Sequence, residues 1–265
     1  MARIITQHAY LLLWQQGFLL FHTGIANLSP MKTLHLSRPC ILCDDACQSA
    51  HCLCDACLKE LPYLSSACAS CGLPIETSTH SDICGACLAS PPLRLKPDQQ
   101  QGKCISVLHY DSPVDYLIKR MKYHNQLSIA QLLGQLIANK IKQTAYPLPS
   151  EIIPVPLHTR RLQQRGYNQA AEIAKAITQV LDIPLNLHIC KRVKSTTPQF
   201  DLPASERVSN IKNAFALSTQ LQSKHLALVD DVMTTGSTVW ELASTLLQAG
   251  AIQVDIWVCA RASTN

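Results

Sequence analysis

Two groups of residues in this chain have the types and spacing to do chemistry. The first is a pair of adjacent carboxylates, Asp230 and Asp231, which close the apolar run 226–229 and precede Thr234-Thr235-Gly236-Ser237-Thr238. Val239, Leu242, Ala243, Leu246 and Leu247 follow at helical spacing. A strand, an acidic edge, a hydroxyl-rich turn and a helix start make an anion cradle. The free N–H groups of the first turn and the positive end of the helix dipole both favour a phosphate there. The two acids stand where they can accept hydrogen bonds from sugar hydroxyls or approach a hydrated metal. A polar turn that merely caps its helix is the plainer alternative.

The second group is cysteine. Ten of the thirteen cysteines lie between Cys40 and Cys87. Eight form four C-x-x-C pairs, Cys40/Cys43, Cys54/Cys57, Cys68/Cys71 and Cys84/Cys87, with ten, ten and twelve residues between successive pairs. Two thiolates three positions apart on a tight turn reach one metal, and two such turns complete a tetrahedral four-cysteine site. Four knuckles therefore imply two structural zinc ions. A disulfide framework is the competing reading, but even spacing without a thioredoxin-like context favours zinc. Pairing first with second and third with fourth is expected, with interleaved pairing as the alternative. Cys47 and Cys52 are spare thiols or substitute ligands, whereas Cys104, Cys190 and Cys259 read as small buried hydrophobes.

A chain of 265 residues can bury one full core plus a small accessory module. Residues 1–100 carry 6 Lys+Arg against 7 Asp+Glu, leaving 17 against 11 in residues 101–265. The positive excess thus accompanies the phosphate motif, which suits a polyanionic ligand, although it is too mild for a DNA-coating protein. Residues 10–21 are apolar, but Gln15 and Gln16 interrupt a stretch too short to span a bilayer. Only Arg3 precedes it, so neither a signal peptide nor a membrane span is expected, and a cytoplasmic location is. Residues 1–37 read as an extension, with Met31 as the expected start and an N-terminal helix as the fallback.

The remaining elements must position these groups. Knuckles occupy 38–90, a proline- and glutamine-rich linker covers 91–102, and the larger domain spans 103–265. Strands are expected at 104–109, 152–157, 226–229 and 253–259. Helices are expected at 114–142, broken near 124–126, and at 170–181. Strands alternating with helices predict an α/β fold with a mostly parallel sheet and helices on both faces. Ligands bind beyond the carboxyl ends of such strands. Arg160, Arg161 and Arg165 follow a proline-bounded strand end, and Lys122 stands in the first helical stretch just before its break. Lys122 and the three arginines are the candidates for contacting an anion. Asn168 is an N-cap or a ligand contact. The polar stretch 194–210, with Arg207, reads as a flap over the site.

The stretch 226–238 resembles the phosphoribosyl-pyrophosphate (PRPP) motif of type I phosphoribosyltransferases. By that resemblance Asp230 and Asp231 hold the ribose hydroxyls, and Thr234, Thr235, Gly236, Ser237 and Thr238 hold the 5′-phosphate, with Mg²⁺ accompanying PRPP. Four cysteine knuckles ahead of such a domain resemble the ComF family of competence proteins, over roughly residues 38–261. Arg165-Gly166-Tyr167-Asn168-Gln169, Lys122-Tyr123 and the block Arg207, Asn210, Asn213, Ala214 and Phe215 carry the same likeness. The resemblance implies a double zinc ribbon joined to a phosphoribosyltransferase-like domain that binds PRPP and acts in DNA uptake. Single-stranded DNA or competence and recombination proteins would be its partners. A true phosphoribosyltransferase of nucleobase or amine salvage and a non-catalytic PRPP sensor are the alternatives.

Overall fold

A computed structural model describes residues 38–47, 51–76, 81–194, 211–222 and 224–263. The expected start at Met31, the flap beyond Lys194, Arg207 and Asn210 lie outside the described residues. Ser37–Asn265 form one unit.

The cysteine-rich part is built twice from one plan. Each half opens on a knuckle turn closed by an antiparallel bridge, Pro39 with Ala46 and then Ala67 with Pro74. Each half then places its second knuckle on a one-turn helix, α1 (Asp55–Lys59) or α2 (Gly85–Ala89). Cys54 and Cys84 are the residues preceding these helices, so a C-x-x-C pair spans the helix start and aims both sulfurs to one side.

The larger part runs β1 (Cys104–His109), α3 (Val114–Tyr123), α4 (Leu127–Lys142), β2 (Glu151–Pro154), α5 (Thr159–Arg165), α6 (Gln169–Leu181), β3 (Cys190–Arg192), β4 (Phe215–Leu217), β5 (His225–Met233), α7 (Ser237–Gln248) and β6 (Gln253–Arg261). Four of the strands form a wholly parallel sheet in the order β1-β6-β5-β2. The expected α/β class is therefore present. Parallel strands covered on both faces bury both sets of side chains, which is why β5 carries an unbroken apolar run from Leu226 to Val229.

One core joins α3, α4 and α6 to the first zinc ribbon, and another joins α7 to β5, β6 and the β3–β4 ribbon. Gly134 lets α4 and α6 approach closely, since a Cβ there would lie 2.5 Å from the Ile173 carbonyl oxygen. Residues 91–102 connect the two parts while lying against α7 and β6. Leu93 is buried, and Gln99 Nε2 donates to the Leu247 carbonyl at 2.8 Å.

Some expected strands differ in detail, and one strand pair is additional. The second strand ends at Pro154 rather than 157, although the Val155 N–H still donates to the Val229 carbonyl. The strand expected at 226–229, β5, continues past 229 through both acids, because Asp230, Val232 and Met233 keep their register with Val258, Ala260 and Arg261. The antiparallel pair β3–β4 was not expected: three residues per strand are too few to show a pattern.

Candidate functional site

A cavity of about 840 Å³ opens beyond the carboxyl ends of β1, β2 and β5. Asp230 and Asp231 come from the C-terminal half of β5, Thr234 and Gly236 from the turn into α7 and Thr238 from its first turn. Gly236 precedes α7 at φ +79°, a conformation that side chains with a Cβ rarely adopt. A Cβ there would also fall 2.3 Å from Trp240 Nε1. Thr235 and Ser237 turn toward each other, with their hydroxyl oxygens 2.8 Å apart, and do not line the cavity. The loop thus presents Thr234, Gly236 and Thr238 to the cavity, while its other two hydroxyls face each other.

The two acids have unlike environments. Asp231 is buried and pairs with Lys122, whose Nζ lies 2.9 Å from its Oδ2. Burial pulls Lys122 down, but Asp231 outweighs it and leaves the ammonium above the usual lysine range. Lys122 is therefore the counter-ion of an acid, where the sequence suggested an isolated charge for the ligand. Asp230 accepts a hydrogen bond from the Asp231 N–H at 2.9 Å. Desolvation and then the neighbouring Asp231 carboxylate push Asp230 up to about 7, against the pull of Lys122 and Arg192.

A cationic wall faces the acids. Arg161 and Arg165, four positions apart on α5, share a face and line the cavity, whereas Arg160 is exposed and does not. His158 accepts from the Arg160 N–H at the start of α5, and Gly166 closes it in the left-handed region. Arg165 donates to Gln169 Oε1 at 3.0 Å and stacks over the Tyr123 ring at 5.5 Å. Asn168 is both cap and clamp: its Oδ1 accepts from Ala170 N–H, and its Nδ2 donates to the Val155 carbonyl.

Both zinc sites assemble as sequential pairs. The sulfurs of Cys40, Cys43, Cys54 and Cys57 lie within 4.8 Å of one another, as do those of Cys68, Cys71, Cys84 and Cys87. Four sulfurs about 2.3 Å from zinc define a tetrahedron with edges of about 3.8 Å. Cys43 and Cys54 are 3.6 Å apart and Cys71 and Cys84 are 3.8 Å apart, so the spacing fits the metal. Cys47 and Cys52 stand outside the first group; Cys52 Sγ instead reaches the Ser128 carbonyl at 3.6 Å.

Residues 33–88 match the family model of the double zinc ribbon domain. The DNA utilization protein YhgH of Salmonella typhi is 36% identical over 214 residues, covering 79% of this chain and 90% of that protein. Competence protein F of Haemophilus influenzae is 37% identical over 220 residues, with the same coverage of each chain. The chain belongs to the ComF family. Among solved structures, adenine phosphoribosyltransferase from Leishmania tarentolae matches with 14% identity and a TM-score of 0.33, over 62% of this chain and 78% of that one.

In this ComF-family chain the sequence reading missed several cavity residues, Arg192 and Tyr110 among them. Arg192, on β3, lines the cavity and lies over the Phe215 ring at 5.7 Å. Burial, then the nearby Arg161 charge, lowers it to about 10. Its position between two lysines gave no hint that it alone turns inward. Tyr110 follows β1 directly and lines the same cavity; the end of a β-strand was its only signal. Among the described residues no helix is long and apolar enough to cross a membrane.

Proposed function

We propose that the cavity binds Mg²⁺·PRPP and that this chain acts in the cytoplasmic handling of DNA during uptake. The observation that carries the reading is the pairing of an acid-and-hydroxyl floor with a wall of Arg161, Arg165 and Arg192 across one cavity. PRPP needs both: carboxylates for its ribose hydroxyls and cations for its pyrophosphate. Thr234, Gly236 and Thr238 take the 5′-phosphate, Asp230 and Asp231 the ribose hydroxyls, and the guanidinium forks the pyrophosphate oxygens. The oxygen donors of Asp230 and of the ligand suit a hard cation, and Mg²⁺ would supply neutralisation of the pyrophosphate charge. Lys122 keeps Asp231 in place, so the floor is formed before the ligand arrives.

A relative named competence protein F and another named for DNA utilization support DNA uptake as the setting. Single-stranded DNA is the partner best matched by the exposed Arg160, Lys191 and Lys194 beside the cavity wall. The deciding experiment is calorimetric titration of the zinc-loaded chain with Mg²⁺·PRPP, wild type beside Asp230→Asn. Binding that the isosteric change weakens at least tenfold supports the site; wild-type silence or an indifferent variant overturns it. Pyrophosphate release from the same sample with single-stranded DNA or nucleobases separates turnover from binding alone.

A further inference from the structure

We propose that Arg261 is a positioning residue that couples the second zinc site to the phosphate loop, so that filling either one strengthens the other. This rests on the assignment of the loop to a phosphate. Arg261 ends β6 and is 3% exposed. Its Nε donates to the carbonyl of Cys71, a ligand residue of the second zinc site, at 3.0 Å. Its Nη1 faces the carbonyls of Met233, at 3.0 Å, of Thr234, and of Ala262, at 2.9 Å. Guanidinium has only donors, and here Nε and Nη1 face carbonyls of the zinc knuckle, of the entry of the loop and of the next residue in the chain. A trans peptide holds its C=O and N–H on opposite sides. With the Thr234 carbonyl turned to Arg261, the Thr235 N–H must point away from it. The arginine thereby sets the orientation of the loop's first peptide plane.

Two further contacts run along the same line. Trp240, in the first turn of α7, packs against the second zinc cluster and crowds Gly236. Cys104 Sγ lies 3.9 Å from Met233 Sδ and would be 2.8 Å from a Cβ on Gly72, next to Cys71. The first zinc site has a different setting, packed with α3 and α4 on the other side of the sheet. Coupling is reciprocal by thermodynamic necessity, so a ligand on the loop must hold the second zinc and not the first.

The test is zinc release from the full chain to a chromogenic chelator, with and without saturating Mg²⁺·PRPP, and with inorganic phosphate as a second probe. Cys43→Ser, which disables the first site, assigns the phases. The expected result is release from the second site slowed about tenfold, with the first site unchanged. Arg261→Lys, retaining charge but not the fork, is expected to keep two zinc ions and wild-type circular dichroism. It should lose the protection and bind PRPP about tenfold more weakly. Equal protection of both sites, no protection in a chain that binds PRPP, or protection retained in Arg261→Lys overturns the coupling. Should that variant not fold, the wild-type release rates decide alone. A chain that calorimetry shows not to bind PRPP overturns the site assignment instead, and the phosphate arm then decides the coupling: no protection by phosphate overturns it.

Discussion

The two walls of the cavity are made in different ways. The acid-and-hydroxyl floor is one short stretch of chain, Asp230 to Thr238, shaped by the end of β5 and the start of α7. The cationic wall draws Arg161 and Arg165 from α5 and Arg192 from β3, which the fold has to bring together. A contiguous floor keeps its geometry as long as its own loop is intact. The opposing wall depends on the docking of separate elements, and it must hold like charges together with no ligand between them. The floor should therefore be the costlier wall to disturb, and the cationic wall the one whose loss affects binding but spares the fold.

The largest effect that would sharpen this contrast lies under the floor. Asp231→Ala leaves the Lys122 ammonium buried without its counter-ion, at an expected cost of about 3–5 kcal/mol in urea unfolding. Adding Lys122→Met should recover most of that loss. Equal losses with and without the second change would break the claim that the pair is formed before the ligand binds.

Next comes the loop. Gly236→Ala forces a Cβ into a left-handed position and against Trp240, a strain of about 1–3 kcal/mol. PRPP affinity by calorimetry should fall roughly tenfold or more. Unchanged affinity would mean that the turn does not shape the phosphate site.

The contiguous floor is also the part that was legible in the sequence, for the same physical reason. Acids, hydroxyls and helix start are adjacent residues, so their order already specifies the cradle. The strand at 104–109, the break between α3 and α4, the α6 helix and the sequential zinc pairing were likewise local patterns. What stayed hidden depended on partners distant in the chain. The extension of β5 through the acids rests on its register with β6, and β3 and β4 pair across a long separation. Arg160, Arg161 and Arg165 looked equivalent as a cluster, although helical spacing places only the last two on a common face. Arg261 lies two residues past the expected end of the last strand at 259, and nothing nearby in sequence marks the carbonyls it faces.

On the cationic wall, Arg192→Gln should lower PRPP affinity about tenfold to a hundredfold, the worth of a charged hydrogen bond to the ligand. Stability should not fall with it. Burial holds the folded arginine near 10, below its ordinary value, so the charge opposes folding at neutral pH. Urea midpoints read beside the calorimetry check both halves; a large stability loss would make this residue structural and erase the contrast between the walls.

The contrast also has a pH signature. Asp230 is raised to about 7, so the apo fold takes up a proton as pH falls through that value. A raised acid binds more protons folded than unfolded, so its ionisation opposes folding as pH rises between about 4 and 7. A ligand that needs the carboxylate must displace this proton. PRPP affinity should therefore rise roughly tenfold between pH 6 and 8, with proton release on binding near pH 6.5. Asp230→Asn should flatten that rise and should be more stable than wild type at pH 8. A slope that survives the change would have to come from the ligand's own phosphates.

The smallest expected effect separates neighbours on one helix. Arg160 and Arg161 are adjacent in sequence, yet Arg160 is exposed and only Arg161 lines the cavity. Arg160→Gln should leave PRPP affinity within about twofold of wild type, as expected for a surface charge away from the ligand. If Arg160 meets the backbone of a single strand instead, the same change should reduce the salt dependence of DNA binding by about 0.7 in log–log slope, one phosphate's share. Both titrations on one variant place the two ligands on opposite faces of α5. A loss of PRPP affinity would mean that α5 turns differently in the bound state, and an unchanged salt slope would move the strand away from this helix.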